Sequence, residues 1–133
     1  MKSGAAFFLS CGIVFLPSVA RAQCVEFKDP AELFKLSDAV FVGTAVATEP
    51  TGAQGSDEMV SIATLSLERT WKGQSGRQVR VATDIPFEVG KKYVVFAAGH
   101  PLTASIRCRW AELVGEAERK LNWLGRRRSR PAD

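Results

Sequence analysis

His100 is the only histidine of the chain and lies between Gly99 and Pro101, in what reads as a tight turn. One imidazole without clustered thiols or carboxylates cannot build a zinc site, and no evident nucleophile is paired with it. The serines fall in loops or on the polar faces of strands, outside any nucleophile-elbow or triad pattern. No Gly-rich loop of the kind that cradles phosphate occurs. These absences argue against catalytic and cofactor-dependent classes. The chain is read as non-enzymatic, with no metal and no cofactor.

The cysteines carry the clearest chemistry. Lys2 begins a positive segment, and Ala5 to Leu16 form an apolar stretch interrupted only by Ser10, Cys11 and Gly12. Pro17 breaks that stretch, and Ala20-Arg21-Ala22 offers the small-x-small pattern of a signal-peptidase site. Residues 1–22 are therefore expected to be a signal peptide, with cleavage after Ala22, or alternatively after Ala20. The apolar run is shorter than the roughly 20 residues that span a bilayer, and no later segment reaches that length. The expected product is a secreted or periplasmic protein with no transmembrane segment. Removing the leader takes Cys11 with it and leaves Cys24 and Cys108 at opposite ends of the remaining domain. In an oxidising compartment two such residues most simply form one disulfide. The alternatives are two unpaired thiols, or Cys11 as a lipidated N-terminus, for which Phe8-Leu9-Ser10-Cys11 is a poor recognition box.

Charge adds a second candidate. The chain carries a formal net charge of +4, yet residues 23–125 hold 12 basic against 13 acidic side chains. The excess sits in Arg126, Arg127, Arg128 and Arg130, so residues 126–133 read as a basic disordered tail; the alternative reading is adhesion to an anionic surface polymer. Among the tryptophans, Trp110 and Trp123 sit on or beside an apolar helical face and suit core packing. Trp71 ends a strand beside a turn and is the better candidate for partner binding.

The elements that must position these residues follow from periodicity. Asp29-Pro30-Ala31-Glu32 opens a short helix with a capping aspartate, a proline at the first position and a glutamate completing a capping box. Ala39 to Ala47 is rich in β-branched and aromatic residues and predicts a strand. Pro50 to Asp57 predicts an exposed loop. Met59 to Trp71 and Gln78 to Thr83 alternate as half-buried strands. Tyr93 to Ala97 is nearly all apolar and predicts a central strand covered on both faces. Leu102 to Cys108 alternates again. Trp110 to Leu124 returns to the helical period, with Gly125 as its stop. Five strands with a short N-terminal helix and a C-terminal helix predict a mainly β, barrel-like domain over residues 23–125.

Several stretches resemble a known family in order and spacing. Ser37-Asp38-Ala39-Val40-Phe41-Val42-Gly43, Trp71-Lys72-Gly73, the Pro86-to-Ala97 segment and Cys108 together look like the bacterial netrin-like domains. These are relatives of the tissue inhibitors of metalloproteinases, and the likeness covers nearly the whole mature chain. It implies a five-stranded OB-fold barrel whose N-terminal segment is tied by a Cys24–Cys108 bridge to the region after the last strand. It also implies an interaction module with a protein partner met through the N-terminal Gln23 and Cys24, with a metalloprotease as the alternative partner. Two departures stand out. The family commonly has a second cysteine at the mature N-terminus, and another before the Pro-Phe turn, where this chain has Asp84-Ile85. Gln23 also precedes Cys24, which displaces the α-amine that the animal inhibitors present to zinc.

Overall fold

The computed structural model describes residues 24, 29–55, 58–73 and 76–131. Residues 1–22, where a signal peptide is expected, and Gln23 lie outside the described residues.

Helix α1 (Pro30–Leu36) begins as its sequence predicts. The Asp29 carboxylate accepts the Ala31 N–H at 3.0 Å, and Pro30, having no N–H, takes the first helical position. At its other end Ser37 leaves the helix extended, and its hydroxyl donates to the Leu33 carbonyl at 2.7 Å.

Strands β1 (Ala39–Pro50), β2 (Ser61–Lys72), β3 (Gln78–Thr83) and β4 (Lys92–Ala97) form the body of one sheet. β1 pairs antiparallel with β2 on one side and with β4 on the other, and β2 pairs antiparallel with β3. The short β5 (Thr103–Ala104) runs parallel to β3, bringing Ala82 beside Thr103. It is joined to the end of β4 by a reciprocal pair of bonds between Ala98 and Thr103, at 3.0 and 2.8 Å. The cycle β1-β2-β3-β5-β4-β1 therefore nearly closes a barrel, which leaves little open edge. β6 (Ala111–Leu113) adds to the outer side of β4.

Two apolar clusters account for the packing. Phe41, Ala45, Ala63, Leu65, Val81, Tyr93 and Val95 fill the barrel interior. Val40, Val42, Val94 and Phe96 point the other way and are covered by Leu33 of α1 and Leu124 of α2 (Glu118–Leu124). β4 is thus buried on both faces, in agreement with its continuous apolar run.

Among the described residues the sheet has seven strands where the sequence predicts five. Of the two added strands, one arises where periodicity misassigns the chain and the other in the tail. Trp110 to Leu124 is not one helix: Ala111–Leu113 is drawn into β6 by pairing with Tyr93, Val94 and Val95. A single 3₁₀ turn (Val114–Glu116) follows, and only then does α2 start. Of the strand expected over Leu102 to Cys108, only Thr103–Ala104 pairs in the sheet. The tail differs from expectation too. Arg130–Pro131 forms β7 against Arg69 and Thr70 of β2, continuing the line of β3 beyond its end.

Candidate functional site

Trp71-Lys72-Gly73 acts as a clamp. The Trp71 indole N–H donates to the Leu124 carbonyl at 3.0 Å, tying the last turn of α2 to β2. Lys72 Nζ donates to the Phe34 carbonyl at 2.9 Å and the Lys35 carbonyl at 3.4 Å, satisfying free acceptors at the end of α1. Gly73 has φ +80°, and a Cβ there would fall 2.3 Å from the Asp38 carbonyl oxygen, so no larger residue fits. Trp71 is half-buried and internally hydrogen-bonded, which makes it a structural tie between elements.

Cys24 and Cys108 are joined in a disulfide, with Cα atoms 5.0 Å apart across 84 positions of chain. The loop that carries Cys108 is held from several directions. Asp84 Oδ2 accepts the Ser105 hydroxyl at 2.6 Å, and Asp84 Oδ1 accepts the Ile106 N–H at 2.8 Å. Ser105 Oγ in turn accepts the Cys108 N–H at 3.0 Å. Arg109, next in sequence, has φ 61° and is the one positive-φ residue other than glycine among the described residues. For a residue with a Cβ that conformation costs about 1–2 kcal/mol. Its carbonyl accepts Lys120 Nζ of α2, which also binds Glu112 Oε1 of β6 at 2.6 Å and lies 5.5 Å from the centre of the Phe96 ring.

Beside this loop is a groove of about 490 Å³ between the β3–β4 turn, the Cys108 loop and β6. Ile85, Tyr93, Ile106 and Leu113 make the apolar half of its lining. Arg109, Glu88 and Glu116 stand around it, and none of the three side chains has a hydrogen-bond or ion-pair partner among the described residues. Tyr93 stacks on Phe87 with ring centres 4.1 Å apart, and its hydroxyl accepts the Glu88 N–H at 2.8 Å, which fixes the turn. An apolar floor with unpaired charges of both signs suits a polypeptide ligand better than a small apolar one.

The arginine run forms a separate surface. Arg127 lies over Trp123 and Phe34, 4.1 and 4.8 Å from the ring centres, and the two rings are 5.4 Å apart. Arg126 and Arg128 are exposed beside it, and Arg130 is fixed by its pairing with Thr70. His100 is exposed in its turn. Among the described residues no group of three His, Cys, Asp or Glu is placed to hold a metal ion, and no helix is long and apolar enough to cross a membrane.

The structure thus joins Cys24 and Cys108, as expected, and ties Trp71 to α2 and Arg127 to the Trp123 and Phe34 rings. Arg109, Asp84 and the Glu112–Lys120 pair escaped the sequence reading. A left-handed backbone leaves no mark on side-chain type except at glycine, and the pair is eight residues apart on what periodicity reads as one helix. A comparison with protein-family models and with curated proteins found no match.

Proposed function

We propose that this chain is an exported netrin-like domain, related to the tissue inhibitors of metalloproteinases, that works as a protein-interaction module. A five-stranded, partly open barrel with β3 and β5 parallel, extended by the short strands β6 and β7, supports the OB-fold reading. Asp84 supports the family reading as well. It ties the β3–β4 turn to the Cys108 loop at the place where the family's additional cysteine would stand. Fold alone does not decide function.

The observation that carries the function is Arg109. A non-glycine residue held left-handed, at the rim of a groove and next to a disulfide cysteine, stores strain that a glycine would avoid. The guanidinium is what that strain keeps in place, and the groove is the partner site. The test incorporates a photo-crosslinking residue at Leu113 in the groove, or at Gln78 on β3 as a control, in the exported full chain. The expected result is one protein adduct from the Leu113 position, competed by added wild-type chain and not by folded Arg109→Gly. Equal adducts from both positions, or equal competition by Arg109→Gly, would overturn it.

Inhibition of zinc proteases through the N-terminus is a separate reading. It requires a free α-amine on the first cysteine, and cleavage after Ala22 puts Gln23 ahead of Cys24. Titrating processed protein, its N-terminus verified, against zinc endopeptidases is expected to give no tight stoichiometric inhibition. Inhibition abolished by acetylating the α-amine would promote the inhibitor reading instead.

A further inference from the structure

We propose that the face formed by α2 and the docked arginine run is a binding site for an acidic polysaccharide whose units carry a carboxylate. This site is distinct from the groove beside Cys108. The argument starts from placement. A free arginine tail is a diffuse charge, but this one is built into the fold. Arg126 and Arg127 continue the last turn of α2, their N–H groups donating to Trp123 and Leu124 carbonyls at 3.3 and 2.9 Å. Arg127 is stacked on two rings, and Arg130 is registered against Thr70. Because residues 23–125 are close to neutral, this run carries the charge excess of the domain on one face, with Arg69 opposite Pro131 on the adjoining strand.

The same face has a depression of about 380 Å³ lined by Glu118, Arg119, Asn122, Trp123 and Arg126. Its parts match one sugar unit. The part of the half-buried Trp123 side chain that lines the depression, beside the stacked Arg127, offers apolar surface to the C–H groups of a pyranose. Asn122 and Glu118 offer a donor–acceptor pair for hydroxyls. Arg126 offers a planar fork that takes a carboxylate in two parallel bonds. Further units of the polymer would run along Arg128 and Arg130. Single-stranded nucleic acid and an anionic membrane are the competing occupants, and the test separates them from the polysaccharide.

The test uses the full exported chain and titrates oligomers of polygalacturonate by calorimetry, alongside the same oligomers with their carboxylates reduced to alcohols. Wild type is expected to bind the acid form and not the reduced form. Arg126→Gln and Asn122→Ala should each weaken binding, the former by about tenfold, as the loss of a charge-assisted bidentate contact implies. Lys91→Gln, which removes one exposed charge in the turn before β4, should leave binding unchanged, with unfolding curves confirming that each variant is folded. Equal binding of acid and reduced oligomers would overturn the proposal, as would equal losses in Arg126→Gln and Lys91→Gln. So would tighter binding of single-stranded DNA or of phosphatidylglycerol vesicles than of the acidic oligomer at the same salt concentration.

Discussion

Lys120→Met removes the ammonium that joins α2, β6 and the Arg109 carbonyl. The Lys120 and Glu112 side chains are only 14% and 16% exposed, so water can do little to replace the lost partner. Deleting one member of a buried pair typically costs about 3–5 kcal/mol, because the other charge stays desolvated and unpaired. Residual exposure puts this pair at the low end, about 3 kcal/mol. For a domain of this size that corresponds to a fall in melting temperature of about 12 °C or more. Urea and thermal unfolding of Lys120→Met, Glu112→Gln and the apolar double replacement Lys120→Met/Glu112→Leu make the measurement. The two single variants should each lose most of the coupling. The double variant should recover most of the loss, since a buried pair replaced by packed apolar groups leaves no charge unpaired and only the Arg109 carbonyl loses its donor. A Lys120→Met protein within about 0.5 kcal/mol of wild type would refute the reasoning, for it would mean that the pair is screened as a surface pair is.

Replacing Cys24 and Cys108 together by serine should destabilise the domain by about 4–5 kcal/mol on the chain-entropy account of an 84-residue separation, measured by urea unfolding. Gly73→Ala should cost at least about 2 kcal/mol or prevent folding, since the methyl group meets the Asp38 carbonyl and the backbone is left-handed; circular dichroism on heating reads it directly. Truncation after Gly125 removes β7 and the Arg127 stack, and should lower stability by about 1–2 kcal/mol. An unchanged melting temperature would mean that the tail adds charge only.

Legibility in the sequence followed the length and regularity of each element. β3 spans Gln78–Thr83 as alternation predicts, because Val79 and Val81 face the core while Arg80 faces outward. β4 reads correctly because a strand buried twice has no polar positions to confuse. The failures share a cause. The spacing of Trp110, Leu113, Val114 and Ala117 satisfies a helix, but β4 has a free outer edge there, and pairing with it wins over local periodicity. β7 is two residues long and contains a proline, so it has no pattern at all and exists only because β3 stops short of Arg69 and Thr70. At the site, the cysteines were legible because covalent chemistry is tied to residue type. The groove was not, because its walls come from three segments that only the barrel brings together.

The Cys24–Cys108 bond makes the backbone between those residues a covalent ring, and the exposed Thr51–Gly55 loop lies within it. A protease that cuts one peptide bond in that loop opens the ring without releasing a fragment. β1 and β2 stay paired on either side of the break, and the severed ends remain at the high local concentration that tethering gives. Nicked protein therefore travels as one molecule, and its two pieces part only when the disulfide is reduced and the sheet is unfolded. In an oxidising, protease-rich surrounding, a cut at this loop is a scar and not a loss.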